Sequence, residues 1–298
     1  MVASFSILGD FVKEVGGDRV ALTTIVGANG DSHVYQPTPA DAKKLAAAKV
    51  IFVNGLGFEG WMDRLAKASG TKAKIVVATK GITPRERHEG EPQEDEDAHA
   101  GHDHAAEGHD HDAKEAHAGH DHGPIDPHAW QSIANAKVYV ANIRDGLIAA
   151  DPAGKDTYTA NAAAYLAQLD ALEKDVKAAI AAIPADRRRI ITSHDAFGYF
   201  GDAYGVVLLA PEGMSTEAEA SAKDVAHIIR QIKAEKIPAV FLENISDPRL
   251  MEQIAKESGA KIGGELYTDA LSDDKGPAPT YIQMMRFNVH ALDQALSS

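Results

Sequence analysis

Short apolar runs that alternate with amphipathic stretches are the feature that most restricts how this chain can fold. In the first half, three apolar runs have the length of buried strands, and helical patterns separate them. These runs are Val20–Val26, Lys49–Asn54 and Lys74–Ala78. After residue 185 the alternation returns, with apolar runs at 188–192, 206–209, 239–242 and 261–266. Strands that alternate with helices form mostly parallel sheets covered by helices. The pattern therefore predicts an α/β fold with two (β/α) lobes of similar size.

A long helical stretch lies between the two halves. Within Lys155–Ile183 an apolar stripe has helical spacing, formed by Leu166, Leu169, Leu172 and Val176. A helix of about 29 residues spans roughly 43 Å, which is longer than one small domain needs. We therefore expect this helix to join an N-terminal lobe at 1–153 to a C-terminal lobe at 185–298, with the linking helix at 154–184.

A histidine-rich acidic segment interrupts the first half. Residues 88–126 hold thirteen acidic residues, one lysine and nine of the fourteen histidines, so they carry most of the formal net charge of −14. Between Pro84 and Pro124 no aliphatic residue is larger than alanine, and the pattern GHDH occurs three times. Because such a segment cannot bury a core, we expect a disordered surface insertion at 85–125 within the N-terminal lobe. The rest of the chain is nearly neutral, which argues against nucleic-acid binding.

Cysteine is absent, which excludes disulfides, iron–sulfur clusters, thiolate zinc sites and cysteine nucleophiles. No apolar run approaches the ~18–20 residues of a membrane helix. Residues 2–8 follow Met1 without a basic region or a cleavage site. Two locations stay open on this basis, the cytoplasm or the periplasm after removal of a signal peptide.

Four polar residues occupy positions where an α/β fold places its ligands. His33 follows the first predicted strand through a loop, while His194 and Asp269 follow later strands. His128 lies just before a predicted helix. Because loops at the carboxyl ends of parallel strands line the ligand crevice, these residues can converge there from both lobes. Three imidazoles and one carboxylate suit Zn²⁺, and a site with four protein ligands leaves no open position for catalysis.

An isolated histidine is more often a surface or core residue than a metal ligand. We interpret His227 and His290 in this way, since both lie inside predicted helices. Asp269 is equally compatible with a helix or turn cap. The large sequence separation of the four candidate ligands does not decide between these roles.

Several motifs, in order along the chain, resemble one protein family. They are ASFSILGDFVKEVGGDRV near the start, GDSHVYQPTPAD at 30–41, DPHAW at 126–130, TSHDAFGYF at 192–200, EGMSTEAEASAKDV at 212–225 and ELYTDALS at 265–272. The family is the metal-specific (cluster A-I) solute-binding proteins of ABC importers. The resemblance to its ZnuA-like zinc-binding subgroup runs from about residue 2 to residue 296.

This resemblance implies that one rigid long helix joins the two lobes and that the metal lies in the cleft between them. It implies that His33, His128, His194 and Asp269 are the metal ligands. Glu59 matches a family glutamate that is an additional ligand or lies just behind the ligands, although it is equally an ordinary residue at a helix start. The resemblance also implies a monomeric periplasmic protein without enzymatic activity, whose signal peptide is absent from this chain. Such a protein delivers zinc to an inner-membrane ABC permease, with a periplasmic zinc chaperone as a further partner.

Position 194 bears on the identity of the metal. Manganese-type relatives carry a carboxylate at the third ligand position, where this chain has His194. Imidazole suits zinc and carboxylate suits manganese, so we expect Zn²⁺. Free histidine has a pKa of about 6.5, and only neutral imidazole binds the metal. We therefore expect zinc affinity to fall steeply below pH ~6.

The insertion is expected to bind further zinc ions weakly. Imidazoles one residue apart can capture a divalent cation together with nearby carboxylates, but ordering a flexible segment costs conformational entropy. The candidate auxiliary ligands are His102, His104, His109, His111, His120 and His122. The alternative is a solvated acidic spacer.

Three other functions stay open from the sequence. They are a manganese-binding homologue, a zinc-dependent hydrolase that uses the same four residues, and a zinc buffer or chaperone that meets no transporter. Neither H-E-x-x-H nor G-x-S-x-G occurs in the chain, which argues against the common hydrolase types.

Overall fold

Two parallel four-stranded sheets organise the chain, as seen in a computed structural model that describes residues 1–86 and 125–297. The first lobe, here the N-lobe, has the strand order β2-β1-β3-β4. Its strands are β1 (Val2–Phe5), β2 (Thr23–Val26), β3 (Val50–Val53) and β4 (Lys74–Val77). Its helices are α1 (Ser6–Gly16), α2 (Pro39–Ala47), α3 (Met62–Ser69) and α4 (Ile133–Ala150).

The second lobe, here the C-lobe, repeats this arrangement with the strand order β6-β5-β7-β8. Its strands are β5 (Arg189–Ile191), β6 (Val207–Leu209), β7 (Ala239–Glu243) and β8 (Lys261–Leu266). Its helices are α6 (Gly198–Tyr204), α7 (Ala222–Glu235), α8 (Arg249–Ser258) and α9 (Tyr281–Leu296). The predicted fold of two α/β lobes with parallel sheets is confirmed. Since all four strands of a sheet are parallel, their carboxyl ends lie along one edge of it.

The long helix α5 (Lys155–Ala182) has 28 residues and packs against α1, α4 and α9. Its buried side chains recur every three or four residues, at Tyr158, Ala162, Tyr165, Leu169, Leu172, Val176 and Ile180. The predicted stripe is therefore largely correct, with Leu166 only partly buried at its edge. One continuous hydrophobic core runs from the N-lobe through α5 to α9, and a smaller core lies beneath α7 and α8.

The sequence analysis missed β1, although this strand lies inside the N-lobe sheet and pairs with both β2 and β3. All four of its residues are buried, and the chain passes from Phe5 directly into α1. No turn residue separates the strand from the helix, so the pattern gives no boundary. The structure also starts β2 at Thr23 rather than at Val20.

The predicted insertion at 85–125 lies largely outside the described residues. At its two ends, Glu86 and Ile125 form an isolated antiparallel bridge, and the amide of Asp126 donates to the carbonyl of Arg85 (2.8 Å). Among the helices of the described part, none is long and apolar enough to cross a membrane.

Candidate metal centre

Loops at the carboxyl ends of strands bring together four residues, two from each lobe. His33 lies in the loop after β2, where its amide donates to Asp31 Oδ1 (2.8 Å). His194 follows β5, and Asp269 follows β8. His128 directly precedes a short 3-10 turn at Ala129–Gln131 that leads into α4. The structure therefore places all four predicted ligands in one group.

The geometry of this group fits a small divalent cation. One potential ligand atom from each residue lies within 4.8 Å of the others. Asp269 Oδ2 is 3.1 Å from both His33 Nε2 and His194 Nε2, and the Nε2 atoms of His33 and His128 are 3.3 Å apart. A tetrahedron with zinc-type bonds of about 2.0–2.1 Å has edges of roughly 3.3 Å. The four side chains are thus spaced as ligands of one ion would be.

Burial sets this group apart from an ordinary surface cluster. His128, His194 and Asp269 are fully buried, and His33 is only 3% exposed. Asp269 Oδ1 has no hydrogen-bond partner among the described residues. A buried carboxylate oxygen without a partner carries a large desolvation cost that a cation would offset.

Two carboxylates fix the imidazole orientation from behind. Asp126 Oδ1 lies 2.8 Å from His128 Nδ1 and also accepts the amide of His128 (2.9 Å). Glu243 Oε2 contacts His194 Nδ1, while Glu243 Oε1 accepts the amides of Ser193 (2.7 Å) and His194 (3.1 Å). With the proton held on Nδ1, each imidazole presents the Nε2 lone pair to the cation, which is the usual arrangement behind metal-binding histidines.

The backbone beside Asp269 is held from the N-lobe side. Trp130 Nε1 and Gln131 Nε2 both donate to the carbonyl of Thr268, each at 3.0 Å. Phe58 packs edge-on against the His33 ring, with the ring centroids 4.8 Å apart. These contacts fix the backbone next to Asp269 against the N-lobe and support the His33 ring from one side.

Glu59 lies outside this group. Its carboxylate accepts hydrogen bonds from Ser4 Oγ (2.5 Å) and from the amides of Asn54 (2.6 Å) and Gly55 (3.2 Å). It therefore ties the end of β1 to the end of β3, and burial raises its pKa. The auxiliary histidines predicted in the insertion fall outside the described residues.

The charges of the four clustered residues shift one another's pKa values. Burial favours neutral imidazole, but attraction to Asp269 and the hydrogen bond to Asp126 outweigh it and raise the pKa of His128 to about 9. Burial is likewise overcome at His194, where Glu243 and Asp269 raise the pKa well above its usual value. At His33 burial prevails and lowers the pKa. Burial would raise the pKa of Asp269, but the charges of His128 and His194 hold it well below its usual range.

Sequence reasoning did not assign a role to Asp126 or Glu243. Asp126 is the first residue of the motif DPHAW and lies two residues before His128. Glu243 is a charged residue at the end of the buried strand β7 and is only 3% exposed. A charge at the carboxyl end of a buried strand is the pattern that could have revealed it.

Comparison with known proteins agrees with this fold. The family described as the periplasmic zinc-uptake complex component A, ZnuA, matches residues 1–295. The manganese-binding lipoprotein MntA of Halalkalibacterium halodurans is 33% identical over 298 residues, which cover 100% of this chain and 88% of that protein. The iron-binding protein YfeA of Yersinia pestis is 33% identical over 292 residues, covering 98% and 84%. The structure of the periplasmic zinc-binding protein TroA from Treponema pallidum superimposes with a TM-score of 0.84 at 28% identity, covering 99% of this chain and 98% of that one.

The fold and the relatives define a solute-binding protein of the metal-ion type, a class that delivers its ion to the membrane permease of an ABC importer. The chain belongs to the ZnuA family. That family consists of binding proteins rather than enzymes. The names of these relatives include manganese, iron and zinc, so membership alone does not identify the ion.

Proposed function

We propose that this chain is a periplasmic protein that captures Zn²⁺ with His33, His128, His194 and Asp269 and delivers it to an inner-membrane ABC permease. The convergence of three imidazole nitrogens and one carboxylate within 4.8 Å carries the proposal. Two of these imidazoles have a carboxylate behind Nδ1, which raises their basicity as metal ligands. We further propose that the chain acts as a monomer whose lobes span 1–153 and 185–298, with the linking helix at 154–184.

The donor set favours zinc over manganese. Imidazole nitrogen suits zinc, whereas manganese prefers carboxylate, carbonyl and water oxygens. Here nitrogen outnumbers oxygen three to one among the clustered ligands. A complete set of four protein ligands also matches the coordination number of a closed zinc site.

Manganese or ferrous iron is the second candidate, and two observations favour it. MntA and YfeA, which are named for manganese and iron, are each 33% identical to this chain. Asp269 also has a second carboxylate oxygen without a hydrogen-bond partner among the described residues. Bidentate binding by that carboxylate would raise the coordination number to five, which suits a larger ion than zinc.

Metal competition on the purified protein tests the proposal. Affinities for Zn²⁺, Mn²⁺ and Fe²⁺ are measured against calibrated chelators for the wild type, His194→Ala and His194→Glu. We expect His194→Ala to weaken zinc binding by orders of magnitude and His194→Glu to shift the preference toward manganese. His227→Ala is the matched control, since His227 is an exposed residue on α7.

Three outcomes would contradict the proposal at different points. Wild-type zinc affinity in His194→Ala would remove His194 from the ligand set. Tighter binding of manganese or iron than expected from the general affinity order of divalent metals would favour the second candidate. Failure of the zinc-loaded protein to support uptake by its permease in reconstituted vesicles would favour a buffer or chaperone instead.

A further inference from the structure

Arg85 occupies a junction between the two lobes, beside the candidate metal centre. It lies on the N-lobe segment that leaves β4, and it contacts helix α6 of the C-lobe at two points. Its amide donates to the Tyr199 hydroxyl (2.8 Å), and its Nε donates to Asp202 Oδ2 (2.9 Å). The site described above does not use any of these contacts.

On its other side, Arg85 reaches the carboxylate that orients His128. A terminal guanidinium nitrogen of Arg85 lies 3.5 Å from Asp126 Oδ2, and the Arg85 carbonyl accepts the Asp126 amide (2.8 Å). Asp126 is fully buried, and its other oxygen contacts His128 Nδ1. The guanidinium therefore forms an ion pair, without a hydrogen bond, with the opposite oxygen of the same carboxylate that holds the imidazole.

The α6 contacts bring the second lobe into the same arrangement. Gly198 is the first residue of α6, which begins shortly after His194. A Cβ atom at Gly198 would lie 2.4 Å from the Arg85 guanidinium and 2.5 Å from Asp126 Oδ2. The close approach of Arg85 and Asp126 to this helix thus depends on the absence of a side chain at residue 198.

Charge gives Arg85 a further role. Three buried carboxylates, Asp126, Glu243 and Asp269, belong to the four-ligand group or contact it. When the imidazoles are neutral, the three negative charges of these carboxylates exceed the two positive charges of a divalent cation by one. Arg85 brings a permanent positive charge to this group, and its guanidinium fork can serve two carboxylates at once.

Assuming the metal-binding function proposed above, we infer that Arg85 is a positioning residue for the metal centre. It fixes the position of Asp126, and through Asp126 that of the His128 ring, relative to α6 and His194 in the C-lobe. The exposed contact to Asp202 is a surface ion pair of small energetic weight, because Asp202 is 66% exposed. The buried contact to Asp126 is the one through which Arg85 acts on the metal.

The test measures affinity and ligand geometry in parallel. Zn²⁺ affinity is determined by chelator competition, and Co²⁺ is bound as a spectroscopic probe, because its visible absorption reports the coordination geometry. Arg85→Gln removes the charge, Arg85→Lys keeps it without the fork, and Arg144→Gln removes an arginine that pairs with Asp145 on α4. Thermal unfolding of the metal-free proteins is recorded alongside.

We expect Arg85→Gln to weaken zinc binding, by no more than the about 10–100-fold that follows loss of a carboxylate directly behind a metal ligand, and to change the Co²⁺ spectrum. Arg85→Lys should recover part of the affinity, and Arg144→Gln should match the wild type in both measurements. Wild-type affinity and spectrum in Arg85→Gln would overturn the inference. A lower affinity with an unchanged Co²⁺ spectrum and a matching loss of thermal stability would also overturn it, because Arg85 would then only stabilise the fold. If the wild type itself binds no divalent metal, the proposed function fails, which is a separate result.

Discussion

Proton release on zinc binding should be large, because the buried carboxylates keep two ligands protonated in the metal-free protein. The pKa of His128 is raised to about 9, against the effect of burial, by Asp269 and Asp126. The pKa of His194 is raised well above its usual value, again against burial, by Glu243 and Asp269. Both are therefore imidazolium at pH 7, and a zinc ion must displace a proton from each. His33, whose pKa is lowered chiefly by burial, has no proton to lose at that pH.

The expected magnitude follows from linkage. Each ligand that loses a proton adds about one decade of affinity per pH unit below its pKa. His128 alone should therefore raise zinc affinity by roughly 10-fold between pH 7 and pH 8, which is about 1.4 kcal/mol, and proton loss from His194 adds to this rise. The rise should flatten only as the pH approaches 9, the pKa of His128.

Calorimetry in buffers with different ionisation enthalpies measures the released protons directly. We expect more than one proton per zinc at pH 7.5 in the wild type and fewer in Asp126→Asn, which loses the negative charge that helps to raise the pKa of His128. Asp145→Asn, a change on the exposed face of α4, should behave as the wild type. Release of no protons at pH 7.5, with a flat affinity between pH 7 and pH 8, would refute the reasoning.

Three further outcomes are expected. Glu243→Gln should weaken zinc binding by about 10–100-fold, because an amide behind Nδ1 of His194 no longer enforces the binding tautomer. Chelator competition measures this, and equal weakening in the control Glu252→Gln, a change at an exposed residue of α8, would contradict it. The metal-free protein should lose thermal stability as the pH rises from 6.5 to 9, because the stabilisation from the raised pKa of His128 is complete below 6.5 and is lost at about 9; a flat melting temperature over that range would contradict it. Deletion of 88–122 should lower the calorimetric zinc stoichiometry to one per chain and leave the melting temperature of the metal-free protein nearly unchanged; an unchanged stoichiometry would make the segment a spacer.

The four clustered positions were reached from the sequence by residue type, by placement and by resemblance. Residue type selects histidines and one aspartate, and placement selects His33, His194 and Asp269, which follow predicted strands. His128 precedes a helix, and the resemblance of the motif DPHAW adds it to the set. None of these signals extends to Arg85, an ordinary charged residue in a loop after β4. Its relation to Asp126 and α6 exists only once the two lobes pack together, and a local pattern carries no information about that contact.

The fold, too, could be predicted only where a local sequence pattern marks a strand or a helix. Strands flanked by turn residues and helices with a clear apolar stripe were found in both halves, whereas β1 was not. Its four residues run from the chain start into α1 without a break, so only pairing with β2 and β3 defines the strand. Tertiary pairing, rather than local preference, decides such a short segment.

The pH window shows how structure changes a conclusion drawn from residue type alone. The pKa of free histidine, about 6.5, leads to a loss of zinc affinity below pH ~6. Burial alone would move that window lower still, since it disfavours imidazolium. At His128 the opposite occurs, because Asp269 and Asp126 lie against the ring. Asp126 therefore both directs Nε2 of His128 toward the cation and stabilises the imidazolium form that competes with the cation. The contact that orients the His128 ring thus also strengthens the competition from the proton. Zinc displaces that proton more readily as the pH rises toward 9, the pKa of His128.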